Sequence, residues 1–597
     1  MSFATRQLTF RASVVLVLSM TFPLSLIPVD ASGPEPWGEL HPSGAFYTEK
    51  SGFRYLRVQG TPSEIGYQHG CVLADLIVTS VSAYAHATER SYGLDWSQVR
   101  RHGMTYWRYV PDEQREEIDG IVLGASENGA RNPLGDPVDR WDILALNAIW
   151  DIWWRMEPPG NVWWWLPWST DLPSPESNPP HHCSAFVATG DATADGGFVL
   201  GQSLWMPYFL SPAHAVFMDI IPETGNRIFM EVTAGMIWSG TEYYINSAGL
   251  VAAETTLGVG AYQWGGVPSF IRLRRAVQYA DSIDGFTDIM LESTNGAYCG
   301  DYLLADAKTN EVAVLELGSH EWALRRTTNG FLPSCNYPWD EAVANEMGAP
   351  QGWDHGCYPR WVRLEQLRDR DYGNITVFHG MEYLGDHYDT VKNMDNPCSH
   401  TLCGHVENDS GYPHGSIDAK VTNRTMTLRM ELWARFGHSC GRPFLVEDQR
   451  RDNPEYVFDD LVDIIPQPYA SFSSMEGLIV RVKDGSGDPV QNAEVVLRST
   501  VDGAEFIGVT GTGGEVTFEF LPFSEYSVSG RSGGLSGSII AEHDEEEEIE
   551  LVLKDNGSGG GSGVLGPGTV LVLVLIIAAG AGIAVMIKLR NKGTRSK

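Results

Sequence analysis

The sequence has little positive charge. Its 597 residues include 42 Lys and Arg against 76 Asp and Glu, which gives a formal net charge of −34 at pH 7. A protein that binds nucleic acid needs a basic surface to neutralise phosphates, so this composition argues against a nucleic-acid partner. The acidic balance is typical of an exported protein, or of one from a salty or acidic habitat.

Cysteine is also scarce, with eight residues in the chain. Eight are too few for a disulfide-stapled scaffold of this length, although some could pair in an oxidising compartment. Cys398 and Cys403 are close enough for a small loop disulfide, and His400 and His405 alternate with them. Because this spacing matches no known zinc module, the sequence predicts no metal site.

Long uncharged runs are rare, and one of them lies near the N-terminus. Arg6 and Arg11 precede an apolar run over residues 12–26, and small residues follow at Val29-Asp30-Ala31. This pattern is typical of a secretory signal peptide, with an uncleaved anchor as the alternative.

A second uncharged run, Thr569–Ile587, is long enough to span a bilayer. The basic segment 588–597 that follows it predicts a cytoplasmic C-terminus. We therefore expect a single-pass protein of the cell membrane with its N-terminal ectodomain outside the cell.

Changes in pattern along the chain predict an α+β protein with several domains. Thr61-Pro62-Ser63-Glu64 combines a hydroxyl cap, a proline in the first turn and a capping-box glutamate, so it predicts a helix start. Short strands and glycine turns after residue 474 predict a small all-β sandwich. The expected order is a signal peptide (1–31), a helical pro-segment or α chain (32–182), a catalytic domain (183–473), the sandwich (474–555), a Gly/Ser linker (556–568), a transmembrane helix (569–587) and the tail (588–597).

The chemistry of the chain centres on His181-His182-Cys183, where a proline-rich loop meets a predicted strand. Cleavage between His182 and Cys183 would give Cys183 a free α-amine beside its thiol. That amine titrates near pH 8 (about 7.7–8.0) and can serve as general base for its own side chain, so no cofactor is required. A buried strand cysteine or half of a disulfide is the alternative interpretation.

Four segments carry a resemblance to a known family. They are Cys183-Ser-Ala-Phe-Val-Ala, Gly201-Gln-Ser-Leu-Trp205, Gly249-Leu-Val-Ala-Ala-Glu254-Thr255-Thr256 and Gly415-Ser-Ile-Asp418-Ala-Lys420-Val-Thr422. Their order along the chain resembles the phospholipase B-like proteins. Tyr67-Gln-His-Gly70 and Glu116-Glu-Ile-Asp-Gly120 resemble the related acyl-CoA:penicillin acyltransferase (C45) group, and the region after residue 474 resembles carboxypeptidase-regulatory-like modules.

Both enzyme groups are N-terminal nucleophile (Ntn) hydrolases, so the resemblance implies a four-layer αββα sandwich and autoproteolysis at His182–Cys183. Asn246 and Asn295 are the candidate oxyanion donors beside the Cys183 nucleophile, and an asparagine that serves a turn is the alternative for Asn246. Six further residues are candidates for supporting roles: Gln202, Trp205, Glu254, Thr255, Arg272 and Asp301. Gln202-Ser203-Leu204-Trp205 departs from the Arg-Asn-x-Asp pattern of the acyltransferase group, and Arg272 is a candidate anion clamp.

These features favour a membrane-tethered extracellular Ntn hydrolase that cleaves or transfers the acyl group of a linear amide. A phospholipase B-like hydrolase of acyl esters is the first alternative. A catalytically inactive surface binding or adhesion protein on the same fold is the second. The expected partners are a small-molecule or lipid acyl substrate and the membrane around the C-terminal helix, and the sequence leaves the oligomeric state open.

Overall fold

The computed structural model describes residues 38–156, 183–258, 263, 265–347, 357–407, 413–452, 461–544 and 548–555. The predicted signal peptide, the cleavage partner His182, the linker, the transmembrane run and the tail lie outside these residues. Within the described ranges, no single helix is both long and apolar enough to cross a membrane, although Pro62–Val72 and Ala74–Glu89 together form a bent pair that passes the same test.

Six of the described helices begin at a residue whose side chain accepts a backbone N–H of the first turn. Thr61 and Glu64 form the predicted capping box at the start of the first helix. The helices are α1 (Pro62–Val72), α2 (Ala74–Tyr92), α3 (Trp96–Met104), α4 (Asp112–Glu127), α5 (Arg140–Asn147), α6 (Ile149–Met156), α7 (Ser211–His214), α8 (Ser269–Tyr279), α9 (Ile283–Leu291), α10 (Glu341–Glu346), α11 (Cys357–Asp371), α12 (Val377–Leu384), α13 (Arg424–Leu428) and α14 (Val446–Asp452).

The strands before residue 335 are β1 (Glu39–Leu40), β2 (Phe46–Lys50), β3 (Phe53–Gly60), β4 (Ser184–Thr189), β5 (Val199–Ser203), β6 (Trp205–Pro207), β7 (Val216–Pro222), β8 (Ile228–Val232), β9 (Tyr243–Asn246), β10 (Leu250–Gly258), β11 (Cys299–Asp306), β12 (Glu311–Leu317), β13 (Trp322–Thr327) and β14 (Gly330–Ser334). The later strands are β15 (Tyr388–Asp389), β16 (Met394–Asp395), β17 (His405–Val406), β18 (His414–Ser416), β19 (Asp418–Asn423), β20 (Glu431–Phe436), β21 (Ala470–Ser473), β22 (Met475–Asp484), β23 (Glu494–Ser499), β24 (Glu505–Val509), β25 (Glu515–Pro522), β26 (Ser524–Ser532), β27 (Leu535–His543) and β28 (Glu548–Asp555).

Two large sheets form the body of the molecule. The first has ten strands in the order β1-β2-β3-β7-β8-β9-β10-β11-β12-β13, and the second has six in the order β14-β4-β5-β19-β20-β21. Every residue of β4 is buried, so both faces of this strand are covered. Ala185 and Val187 pack in the core between the sheets, while Phe186 and Ala188 pack in a cluster with Leu364 of α11 and other helical residues.

Side chains of the ten-stranded sheet alternate between its two faces in the same way, and helices cover the outer face. Phe217 and Phe229 face the inter-sheet core, whereas their neighbours Met218 and Met230 join the cluster built with α1 to α6, α8 and α9. The result is a layered α/β/β/α arrangement. It agrees with the mixed α+β class and is consistent with an Ntn-like sandwich.

The N-terminal region, predicted as a helical pro-segment or α chain, also contributes strands to the ten-stranded sheet. β3 pairs in parallel with β7, so the ten-stranded sheet crosses the boundary drawn at Cys183. The helices of this region form the outer layer on that sheet. The prediction missed this because strand pairing between distant segments leaves no local signal.

The region after residue 474 is all-β, with seven strands in the order β24-β23-β26-β27-β28-β22-β25 and its own apolar core. It contacts the body through stacked Phe46 and Phe520 rings, with centroids 4.6 Å apart, and through an Arg227–Glu476 ion pair of 2.6 Å.

Candidate active site

Cys183 lies directly before β4 and is fully buried. Its thiol donates a hydrogen bond of 2.8 Å to Oε2 of Glu242, which precedes β9 in the other sheet. Gln202, on the neighbouring strand β5, donates to the same oxygen at 3.2 Å. The candidate nucleophile therefore lies between the two sheets. The Glu242 carboxylate, from the ten-stranded sheet, binds both the thiol and Gln202 of the six-stranded sheet.

Glu242 belongs to a pair of buried carboxyl groups. The hydroxyl of Tyr298 lies 2.8 Å from Oε1 of Glu242 and 3.2 Å from Oε2 of Glu254. Burial raises the pKa of Glu242, and burial together with the neighbouring Glu242 charge raises the pKa of Glu254 well above its usual range. Burial and the proximity of the two carboxyl groups thus both oppose ionisation of this pair.

The same surroundings keep the thiol protonated. Burial, followed by the charges of Glu242 and Glu254, raises the pKa of Cys183 well above its usual range, while the Trp205 backbone N–H opposes that shift. A base must therefore remove the thiol proton before the sulfur can attack a carbonyl.

Arg360 of α11 holds the other side of Cys183. Its guanidinium donates to the Cys183 carbonyl and, at 3.1 Å, to Oγ of Ser184. It also donates to Oδ1 of Asn336 at 3.0 Å, and its Cζ lies 4.5 Å from the centroid of the Trp205 ring. One buried cation thus joins the nucleophile to an asparagine amide and an indole.

Four of these residues have backbone dihedrals in the left-handed region. The φ angles are 69° for Cys183, 69° for Glu242, 54° for Tyr298 and 60° for Asn336. Such conformations cost about 1–3 kcal/mol each for residues with a side chain, and they cluster at functional sites. The strain here is concentrated on residues that contact Cys183 or Arg360, or that bind Glu242.

An aromatic wall lies beside the carboxyl pair. The ring of Tyr298 packs against Trp150, Trp154 and Trp238, with centroid distances of 5.8, 5.6 and 5.7 Å. This wall gives the site an apolar side next to its polar centre.

A buried cation also supports the strand beside Cys183. Lys420 on β19 lies opposite Gln202 on β5 in the antiparallel register of these two strands. Its ammonium contacts Glu231 at 2.6 Å and Asp418 at 2.9 Å, and Asp418 accepts the Leu204 N–H at 3.2 Å. The Asp418-Ala-Lys420 motif therefore neutralises charge and fixes the chain next to the site.

Several of the residues singled out in the sequence meet in this centre. Gln202 and Trp205 lie beside Cys183, and Glu254 reaches it through Tyr298. Thr255 and Asp301 lie further from Cys183. Both hydrogen-bond to Ser334 at the end of β14, the strand that pairs with β4.

The remaining candidates are engaged in other places. The Asn246 amide donates to the carbonyls of Val277 and Ala280 at the end of α8, as expected of an asparagine that serves a turn. The Asn295 amide donates to Asp151 at 2.6 Å, and the Arg272 guanidinium donates to the carbonyls of Val267 and Met290. We therefore do not assign Asn246, Asn295 or Arg272 to the oxyanion or anion site.

Sequence reasoning missed Glu242, Tyr298, Asn336 and Arg360. Antiparallel pairing of Ser334 with Ala185 brings Asn336 back to Cys183 across 153 positions of chain (336 − 183). The one local signal is a polar residue, Asn336, shortly after the apolar pair Phe331-Leu332. Nothing local distinguished it from Asn246 or Asn295.

No family model matches the chain. An uncharacterised protein of Archaeoglobus fulgidus is 25% identical over 432 residues, which cover 67% of this chain and 66% of that protein. A phospholipase B of Crotalus adamanteus and phospholipase B-like 1 of Homo sapiens are each 23% identical over 53% of this chain, and the matches cover 63% and 62% of those proteins. The chain thus spans slightly less than two thirds of the length of each relative.

A solved structure of a mutant conjugated bile acid hydrolase from Clostridium perfringens matches 42% of this chain and 88% of its own length, at 13% identity and a TM-score of 0.28. That score is too low to carry an argument. The chain is therefore similar in sequence to phospholipase B-like proteins over about half of its length, and its layered fold is consistent with an Ntn-like sandwich.

Proposed function

We propose that this chain is a cysteine Ntn hydrolase that cleaves itself before Cys183 and then hydrolyses, or transfers, the acyl group of a linear amide. The observation that carries the proposal is the Cys183 thiol bound to Glu242 on one side while Arg360 binds its carbonyl on the other. A structural cysteine needs neither contact.

Self-cleavage begins with attack of the Cys183 sulfur on the carbonyl of residue 182. The C–N bond breaks as the C–S bond forms, and water then hydrolyses the resulting thioester, which leaves Cys183 with a free α-amine. The left-handed φ of 69° at Cys183 supports this step, because cleavage would release the strain.

In the acyl-transfer reaction the α-amine takes the thiol proton, and the sulfur attacks the substrate carbonyl to give an acyl thioester. The protonated amine then gives its proton to the leaving amine, and water or an acceptor amine resolves the thioester. Oε1 of Gln202 is buried and has no hydrogen-bond partner among the described residues, and we assign it to accept an N–H of the new amine.

The developing oxyanion needs donors that are already in place. We assign this role to the Asn336 amide, which Arg360 holds beside the Cys183 peptide. In this structure the amide donates to the Thr256 carbonyl at 2.6 Å, so the substrate oxygen would replace that acceptor. Glu242 orients the thiol, and the wall around Tyr298 suits an apolar acyl chain.

A lipid acyl ester is the second candidate substrate. Similarity to a phospholipase B and a phospholipase B-like protein favours it, and an acyl ester would pass through the same thioester. The predicted signal peptide and C-terminal span extend the proposal to an ectodomain tethered outside the cell.

The test compares the wild-type chain with Cys183→Ala by intact mass and N-terminal analysis, with Cys71→Ala as a matched buried-cysteine control. We expect two chains in the wild type and the control, the second chain beginning at Cys183, and one chain in Cys183→Ala. Acyl-amide and lysophospholipid panels then separate amide from ester hydrolysis. A single uncut chain in all three proteins, without turnover, would leave the inactive binding protein as the better interpretation.

A further inference from the structure

A second cluster of reactive side chains lies away from the Cys183 centre. The sequence placed Cys398, His400, Cys403 and His405 in one short segment, and the structure divides them. Cys403 and His405 meet His387, which follows α12, and Cys440, which follows β20. All four ligand atoms lie within 4.8 Å of one another.

The distances match a tetrahedral metal site. Nε2 of His405 lies 3.2 Å from Nε2 of His387, 3.4 Å from Sγ of Cys403 and 3.4 Å from Sγ of Cys440. Tetrahedral zinc, with Zn–N of about 2.0–2.1 Å and Zn–S of about 2.3 Å, sets neighbouring nitrogens about 3.3 Å apart and nitrogen about 3.5 Å from sulfur. The three distances from Nε2 of His405 therefore match those expected between ligands of one zinc ion.

The surroundings also suit a metal. Nδ1 of His405 lies 2.9 Å from a carboxylate oxygen of Glu407, the contact that fixes a ligating histidine. The Arg442 N–H donates to Sγ of Cys440 at 3.3 Å, as suits a thiolate. Without an ion, the two histidine nitrogens would face each other with at most one proton between them.

We propose that His387, Cys403, His405 and Cys440 form a structural zinc site. Two thiolates and two imidazoles complete a tetrahedral coordination sphere, so no position remains for water or substrate. The ion would tie the segment after α12 to β17 and to the loop after β20.

Neighbouring groups make weaker candidates. His438 uses Nδ1 toward the Arg442 carbonyl and Nε2 toward Tyr208. Asp389, Cys398 and His400 supply three ligand atoms, but the Asp389 carboxylate already accepts the backbone N–H groups of Val391 and Lys392. Cys398 is therefore a matched control for the cysteines of the proposed site.

The segment that carries Cys403 and His405 also lies against Trp205, beside Cys183 in the candidate active site. A Cβ on Gly404, between two of the ligands, would lie 2.3 Å from the Trp205 ring, and that ring stacks on Arg360. We expect loss of zinc to loosen Trp205 and lower turnover. This link rests on the proposed function, whereas metal content and thermal stability do not.

The test measures zinc in the full-length chain, purified without metal-affinity steps and reconstituted with Zn²⁺ alone. We expect one zinc per wild-type chain, loss of it in Cys440→Ser and in His387→Gln, and retention in Cys398→Ser. Chelation should lower the melting temperature of the wild type, and added Zn²⁺ should restore it. Cobalt substitution should give thiolate-to-metal charge-transfer absorption in the wild type, a readout that does not depend on folding of the variants.

Three results would overturn the assignment. They are a reduced wild-type chain that takes up no zinc, zinc retained at full occupancy in Cys440→Ser, and a disulfide between Cys403 and Cys440, seen as a mass lower by a pair of hydrogens. Loss of zinc with unchanged turnover would refute the link to Trp205. Stoichiometric zinc in a chain without hydrolase activity would support the metal site while the proposed function failed.

Discussion

The Cys183 thiol and the Glu242 carboxylate lie 2.8 Å apart, and each has a φ of 69°. Two sheets meet at this contact, since Cys183 leads into β4 and Glu242 leads into β9. The strained backbone at both residues aims their side chains at each other across the core. This pairing gives the first testable consequence of the structure.

Glu242→Gln should make the Cys183 thiol more acidic. After burial, the Glu242 charge is the next largest cause of the raised pKa of Cys183, and glutamine removes that charge while keeping the shape. Alkylation by iodoacetamide, followed against pH by mass spectrometry, should show a midpoint at lower pH than in the wild type, with Cys183→Ala identifying the labelled thiol. An unchanged or higher midpoint would contradict this account of the site.

Arg360→Lys should lower kcat/KM by about 10²–10³ while the fold is kept, the scale expected when donors at a reacting centre are displaced. A lysine ammonium cannot reach Cys183, Ser184 and Asn336 from one plane as the guanidinium does. Arg368→Lys is the control on the same helix, because Arg368 binds only its exposed neighbours Glu365 and Asp369 in the described contacts. Equal activity in both variants would refute the assigned role.

Gly120→Ala should destabilise the protein by about 1–3 kcal/mol or more through overpacking, although alanine favours helix by about 1 kcal/mol. α1 and α4 cross at glycines, and a Cβ on Gly120 would lie 2.4 Å from the Ser63 carbonyl oxygen. A Cβ on Gly70 would lie 2.2 Å from the Ile121 carbonyl oxygen. Denaturant midpoints measure the effect, and Gly485→Ala, in open space, should be neutral. A stabilised Gly120→Ala variant would show that the helices tolerate separation.

His69 should contribute to acid sensitivity. It is buried and accepts the Gly235 N–H at 2.9 Å, and burial lowers the pKa of His69 to about 3 from 6.5. Below pH 6.5 the imidazole of His69 is protonated in the unfolded chain and remains neutral in the folded chain. Its contribution to stability is therefore complete above pH 6.5 and is lost as the pH falls toward 3, by about 1.4 kcal/mol per pH unit.

His69→Gln tests this dependence, because glutamine retains an acceptor for the Gly235 N–H and does not titrate. Urea unfolding at about pH 7 and about pH 5 should show a smaller loss of stability in the variant than in the wild type. Identical losses would mean that His69 is protonated in the folded chain, contrary to its burial.

Local sequence was sufficient wherever the determining interactions are local. The Thr61–Glu64 capping box and the strand that begins after Cys183 each depend on residues close in the chain, and each was predicted. Cys183, Gln202, Trp205 and Glu254 were predicted together because they lie in motifs that resemble a known family, and the structure brings them close to one another.

Tertiary structure alone decided which distant side chains share the site and which share the metal cluster. The sequence alone does not distinguish Asn336 from Asn246 and Asn295. Strand register brings Asn336 to Arg360. Asn246 instead binds carbonyls of α8, and Asn295 binds Asp151. Cys440 meets Cys403 because β20 pairs beside β19, a contact that no spacing rule contains. Sequence therefore predicted the candidate nucleophile, through local motifs that resemble a family, and the mixed α+β class, through the alternation of helix and strand patterns. The geometry around the nucleophile depends on pairing between residues far apart in the chain, and only the folded chain specifies it.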